Sequence, residues 1–250
     1  MRLPDIPDSQ KHLHLGAFIF PRMDQIDFTG PFEVLSRVPD STFHVIGKDR
    51  KPIRDVKGLI LTPEMTIAEA PRLDVLMVPG GYGQEELMDD EAVLSFIRKQ
   101  AANTKFVFSV CTGALVCGAA GLLKGVRSTT HWASFHLLPY FGAIPVDRRV
   151  VVDGKHVSAA GVTAGIDGAL TLAALLRDDL AAQQIQLGLE YAPEPPFDSG
   201  TPKTAPAEVL AAAREEIREL TAQRLATAIR IGRELGVDVE RIGTAVAEAP

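Results

Sequence analysis

Cys111 and Cys117 are the only thiols in this chain of 250 residues, and they stand six residues apart in the run CTGALVCGAAGLL. The run reads as a helix, in which six residues rise about 9 Å, beyond the ~7 Å Cα separation that a disulfide bridges. Each cysteine is therefore either a small buried apolar residue or a chemical tool. Cys111 follows the apolar run KFVFSV and precedes the helix, so it sits at a strand-to-helix junction. There the unpaired N–H groups and the helix dipole favour a thiolate. Gly113 lets the neighbouring backbone approach, as small residues flanking a nucleophile elbow do. Cys117 lies two turns further on, among Val116, Gly118, Ala119 and Ala120. It reads as packing.

A thiol nucleophile needs an acid or base and groups that hold developing charge. Asp27 stands between Ile26 and Phe28, just before Gly30-Pro31. Desolvation and a neighbouring thiolate would raise the pKa of such a carboxyl and make it a proton donor at neutral pH. The same aspartate reads equally as the N-cap of the following helix. Thr112 offers a hydroxyl and a backbone N–H beside Cys111, or is an ordinary first-turn residue. Gly80 and Gly81, in VPGGYG, present backbone N–H groups to negative charge or simply make a tight turn. Of the six histidines, His12, His14, His44 and His156 fall outside the expected site. His131 ends an expected strand and could point inward; His136 follows within a helix. No H-E-x-x-H or Cys-His spacing suggests a metal site.

These residues need a scaffold that brings them together. Residues 13–20 read as a buried strand, followed by a turn and a short helix over 31–37. Further strands are expected at 43–48, 74–78 and 105–110, with a fifth, short one at 127–131. A helix over 89–102 carries Leu94, Ile97 and Ala101 on one side. Strands alternating with helices imply a parallel sheet covered on both faces, and near-continuous apolar runs fit strands buried on both sides. In such a sheet ligands bind at the carboxyl ends of the strands, where the loops carrying Asp27, Gly80-Gly81 and Cys111 would converge. Asp153-Gly154 between β-branched residues signals a two-residue hairpin. Helices are expected at 165–176 and 180–190, and a proline-rich stretch follows at 192–206. Residues 207–235 read as one or two amphipathic helices, and those after Gly236 as frayed.

Composition excludes several classes. With 46% hydrophobic and 23% charged residues, the chain can bury a substantial core. A net charge of −6 argues against nucleic acid as the main partner. No apolar run is long enough to span a bilayer. The opening MRLPDIPDSQKHLHLG lacks the apolar core of a signal peptide, so the expected compartment is the cytoplasm. One α/β domain over residues 12–192 is expected, with 193–250 as a proline-rich connector and helical extension of the same domain.

Taken together, LMVPGGYG, SVCTGALVCGAAGLL and RSTTHW resemble the DJ-1/PfpI superfamily, flavodoxin-like α/β proteins with an elbow cysteine. Within it, FPRMDQIDFTGPFEVL, TAGIDGALTLA and LEYAPEPPFDSGTPKTAP look most like the isonitrile hydratase family. The resemblance covers about residues 13–206. It implies a parallel-sheet sandwich with helices on both faces and a C-terminal helical extension. It also implies Cys111 as nucleophile, Asp27 as acid and Thr112 as a required neighbour. Gly80, Gly81, His131, Ala160 and Gly161 would surround the substrate. Many DJ-1 relatives carry glutamate in place of Asp27, and a glycine is expected where this chain has Ala160. That extra methyl is expected to restrict the pocket or the helix that carries Cys111.

The implied reaction is hydration of an isonitrile, R–N≡C, to an N-substituted formamide through a cysteine thioimidate. It needs no cofactor and no metal, and a homodimer is expected. One rival is another activity of the superfamily, on methylglyoxal-type aldehydes or modified thiols, or redox sensing through Cys111. The other is the ligand-binding domain of an AraC-type regulator. That would require a further helix-turn-helix region of roughly 100 residues, where only about 45 follow Pro206.

Overall fold

The apolar runs of the first half are strands of one sheet. In the computed structural model, which describes residues 12–247, the chain begins with β1 (Leu13–Phe18), α1 (Gln25–Leu35), β2 (Ser41–Gly47), β3 (Ile53–Arg54), β4 (Ile60–Leu61), β5 (Met65–Thr66) and β6 (Val75–Val78). It continues through α2 (Gln84–Leu87), α3 (Glu91–Ala101), β7 (Phe106–Val110), α4 (Gly113–Ala119) and β8 (Arg127–Ser128). A 3₁₀ helix (Trp132–Phe141) leads to β9 (Ile144–Pro145), β10 (Val150–Asp153) and β11 (His156–Ala159). The chain then closes with α5 (Ala164–Leu176), α6 (Asp179–Gly188), α7 (Ala207–Glu216), α8 (Arg218–Glu234) and α9 (Val239–Ala247).

Seven strands pair in the order β10-β11-β7-β6-β1-β2-β5. All neighbours are parallel except β10 and β11. Every residue of β6 and β7 is buried, because helices cover both faces. On one side α1 packs on α5 and α5 on α6; on the other α4 packs against α2, α3 and the 3₁₀ helix. This is the expected α/β sandwich with its C-terminal helices. After β1 the chain moves outward to β2, then returns to place β6 on the opposite side of β1. The loops leaving the carboxyl ends of β1 and β6 therefore diverge at a topological switch point, where open α/β sheets bind ligands.

Several local expectations are corrected. The first helix spans Gln25–Leu35, six residues earlier at its start than the expected 31–37. Asp24 caps it by accepting the Ile26 N–H at 3.1 Å. Pro31 lies inside that helix, although proline removes an intrahelical bond. It is buried where Gly165 of α5 comes close enough that a Cβ there would stand 2.9 Å from its ring. Tertiary packing overrides the local preference. The expected strand at 127–131 shrinks to Arg127–Ser128 and pairs with β9 in a separate two-stranded sheet. The main sheet takes β11 instead. The hairpin forms one residue out of register from the expected Asp153-Gly154 loop: Asp153 pairs with His156, and Gly154, at φ +57°, opens the Gly154-Lys155 loop. Beyond Gly236 the chain is helical, with Val239 buried against Gly232. The opening segment weighed as a leader lies, up to residue 11, outside the described residues. Among the described residues no helix is long and apolar enough to cross a membrane.

Candidate active site

Cys111 leaves β7 in the left-handed region, at φ +55°, a conformation that costs a non-glycine residue about 1–2 kcal/mol. The neighbours hold it there. Its N–H donates to the Ala159 carbonyl of β11 at 3.0 Å, and its own carbonyl accepts from Thr130 Oγ1 at 2.7 Å. Gly113 makes the turn possible, since a Cβ there would stand 2.0 Å from the Val78 carbonyl oxygen. The sulfur accepts from the backbone N–H groups of Thr112 and Val162. Those donors do not produce the low-pKa thiol expected at a helix N-terminus. Burial pushes the Cys111 thiol up, and the adjacent Asp27 adds to the effect. The short α4 and two N–H groups compensate only in part for a residue that is 6% exposed. Cys117 is free, buried and pushed up to about 12 by desolvation, as a packing residue should be.

Asp27 is fully buried in the first turn of α1. It is not the N-cap, because Asp24 has that role. Its Oδ2 accepts the Gly80 N–H at 3.0 Å. Its Oδ1 has no well-aligned partner, while the carboxyl lies within hydrogen-bonding reach of Cys111. Desolvation, then the nearby Asp24, raise its pKa to about 8 against the opposing effects of Cys111 and Gly80. A carboxyl so placed keeps its proton at neutrality.

The Gly80-Gly81 loop joins these elements, and its role differs from the expected one. Gly80 donates to Asp27, and Gly81 donates to Thr112 Oγ1 at 3.1 Å. Both N–H groups are engaged inside the protein, so they orient the acid and the elbow and do not face a ligand. Glycine is required here: a Cβ on Gly80 would stand 2.5 Å from the Thr112 nitrogen, and Gly81 has φ +125°. On the other side of Gly81, its carbonyl accepts from Arg224 of α8 at 3.3 Å.

His131 does not end a strand. It caps the 3₁₀ helix, its Nδ1 accepting the Ala133 N–H at 3.4 Å. Burial, then the charge of Arg224, lower its pKa to about 4, so the ring is neutral near pH 7. It packs against Gly161, where a Cβ would stand 3.1 Å from its Cδ2. Ala160 lies between Ala159 and Val162, the two residues that bond Cys111, and donates its N–H to Arg149 at 2.9 Å. Its backbone has no positive φ, so alanine fits without strain. Thus Cys111, Asp27, Thr112, Gly80 and Gly81 converge directly, while His131, Ala160 and Gly161 form the adjoining wall.

Sequence reasoning missed Val162 and Arg224. Val162 acts through its N–H, which no side-chain pattern reveals. Arg224 left a trace: it falls with Ala228, Ile231 and Gly232 on the buried face of α8, where an apolar residue is the ordinary choice. The site is closed. Cys111 lines neither of two surface grooves of about 410 and 300 Å³, the larger running past Ile26, Thr29 and Gly30 on α1.

A doubly wound α/β sheet with a cysteine in left-handed backbone at its switch-point edge, and a buried acid beside it, defines the elbow-cysteine class of flavodoxin-like proteins. Residues 17–175 match the DJ-1/PfpI family, and the chain belongs to that family. An isonitrile hydratase from Pseudomonas putida is 54% identical over 203 residues, covering 81% of this chain and 89% of that protein. The crystal structure of a ThiJ/PfpI family protein from Pseudomonas syringae superposes with a TM-score of 0.85 at 38% identity, covering 91% of this chain and 97% of the other. The transcriptional regulator GbdR of Pseudomonas aeruginosa is 29% identical over 132 residues, which are 52% of this chain and 36% of the regulator.

Proposed function

We propose that this protein is an isonitrile hydratase, converting R–N≡C to the N-substituted formamide R–NH–CHO. The observation that carries the reading is the Cys111–Asp27 pair: a thiol and a carboxyl buried together, the carboxyl protonated up to about pH 8. The similarity to the Pseudomonas putida enzyme over most of both chains supports the same reaction.

An isonitrile has one carbon that accepts both a proton and a nucleophile. The resting thiol first gives up its own proton to solvent, and the reactive pair then holds one proton between sulfur and carboxyl. Cys111 Sγ forms the S–C bond as Asp27 delivers that proton to the same carbon, giving the thioimidate R–N=CH–S–Cys111 and leaving Asp27 as carboxylate. Water then adds to the carbon. One of its protons goes to nitrogen, and the other returns to the pair as the C–S bond breaks and the formamide leaves. Desolvation keeps the carboxyl protonated at neutrality, so it has a proton to donate when the nucleophile attacks. The N–H groups of Thr112 and Val162 hold the departing and arriving sulfur charge. Gly80 and Gly81 keep acid and elbow in register, and His131, Ala160 and Gly161 bound the substrate. This chemistry calls for no cofactor or metal.

A homodimer in the cytoplasm goes with this reading. Light scattering should give twice the chain mass, and cell fractionation should place the protein with soluble cytoplasmic markers. For the reaction itself, purified protein without added metal or nucleotide is offered an aryl isonitrile and, separately, methylglyoxal. Formamide from the wild type but not from Cys111→Ala, with little lactate, is the expected result. Lactate without formamide moves the chain to aldehyde chemistry, and neither product favours a sensor.

A further inference from the structure

Arg224 is 5% exposed and, among the described residues, forms no ion pair. A buried guanidinium is costly unless its charge and its donors are answered. Its two terminal nitrogens donate to Ser134 Oγ and to the Gly81 carbonyl, each at 3.3 Å. Its Nε is buried without a partner. From Gly81 the connection continues inward: Gly81 N–H to Thr112 Oγ1, then Thr112 N–H to the Cys111 sulfur. Arg224 thus stands three hydrogen bonds from the sulfur, and a negative charge on Cys111 would favour the charged guanidinium.

We propose that Arg224 is a positioning residue of the Cys111 centre, carried in by the C-terminal helix α8 to fix the Gly81–Thr112 loop and to set a positive charge facing the sulfur. The extension therefore completes the site as well as covering the domain. The other charged and titratable groups around the centre favour this assignment. Asp27, with Asp24 behind it, faces the sulfur from α1 and opposes a second negative charge. His131, from the 3₁₀ helix, is kept neutral. Glu85 and Tyr82 face Arg224 from the segment after β6, but Glu85 is engaged by Thr227 Oγ1 and by Gln84 Nε2. Among these groups Arg224 is the one cation, and charge on Cys111 helps it keep its proton against desolvation.

The proposal rests on Cys111 as the reactive group and not on an isonitrile as substrate, so the test uses alkylation. In a Cys117→Ala background of the full chain, the rate of Cys111 carboxamidomethylation by iodoacetamide is followed against pH by intact mass. Arg224→Gln keeps donors without charge; Arg224→Met fills the stem's volume without either, a replacement folds often tolerate. Both should shift the reaction midpoint to higher pH by about one unit and slow alkylation near pH 7 about tenfold, since the thiolate reacts. Arg224→Lys should restore most of the midpoint while leaving the loop less ordered. An unshifted midpoint in a folded Gln or Met variant overturns the proposal. Failure of both to fold also overturns it, by making Arg224 a structural anchor. Loss of isonitrile turnover in the wild type, with the alkylation shifts intact, would overturn only the substrate reading.

Discussion

Gly80 donates its backbone N–H to Oδ2 of Asp27 at 3.0 Å, so the loop leaving β6 sets the orientation of an acid carried by α1. Two connections that diverge at the switch point are thereby tied together beneath Cys111. The bond takes one carboxyl oxygen out of play and leaves Oδ1 for the proton shared with sulfur. An acid fixed by backbone cannot rotate away when it loses that proton.

The two cysteines should separate cleanly. Cys111→Ala is expected to abolish turnover with the fold intact, and Cys117→Ala to retain most activity while losing about 1 kcal/mol, less than larger core truncations. Cys111→Gly should be equally inactive but more stable than Cys111→Ala by about 1 kcal/mol, because glycine relieves the positive φ. Urea melts of the three variants and a turnover assay decide it. Near-normal activity in Cys111→Ala removes the covalent route.

Asp27→Asn keeps an acceptor for Gly80 but has no acidic proton. Activity should fall at least ~100-fold, and the wild-type kcat/KM should decline as pH rises through about 8, where Asp27 loses its proton. Stability gives an independent check. The folded pKa is raised above the ordinary 3.8, so this carboxyl's contribution is fully present below pH 3.8 and is lost as pH rises to about 8. Asp27→Asn lacks that loss. Its stability relative to wild type should therefore climb between pH 5 and 8 in denaturant melts. A gap that stays flat would mean Asp27 titrates as an ordinary carboxyl.

Which parts of this site were legible beforehand follows from the kind of signal each residue leaves. Cys111 and Asp27 were visible because each follows an apolar strand, and the parallel sheet brings strand ends together. The start of α1 was misread because Pro31 argues locally against a helix interior, whereas packing against Gly165 decides. The strand expected at 127–131, RSTTH, shrank because a short polar segment does not say which sheet it joins. The low-pKa thiol was also misread: a helix N-terminus is visible in sequence, but the burial that outweighs it belongs to the assembled fold. Arg224 was hidden by distance, since nothing local says that a helix more than 100 residues downstream returns to the elbow.

His131 should be silent as an acid or base. Held to about 4 by burial and by Arg224, it is neutral from pH 5.5 upward. His131→Asn keeps a side-chain oxygen able to cap the 3₁₀ helix. It should leave the pH–rate profile unchanged between 5.5 and 7.5, with kcat within a few-fold of wild type. A limb near pH 6.5 that disappears in the variant would make His131 a proton carrier after all.

Gly80→Ala tests whether the loop, and not only the acid, sets the geometry. The added Cβ would meet the Thr112 nitrogen at 2.5 Å and Oγ1 at 2.6 Å, and backbone on both sides gives it no flexible neighbour to displace. The loop must move away from the elbow. That movement lengthens the bond to Asp27 Oδ2 and loosens the Gly81–Thr112 contact together. Overpacking of this kind costs about 1–3 kcal/mol, a loss a domain of this size can survive. Activity should suffer more than stability, because small displacements of reacting groups cost about 100-fold. The expected result is a folded protein with a modestly lower melting temperature and kcat down by about two orders of magnitude. Cys111 alkylation should change as well, since the Thr112 N–H on its sulfur shifts with the loop. If Gly80→Ala loses stability but keeps kcat, the Gly80–Asp27 bond holds the fold and does not aim the acid.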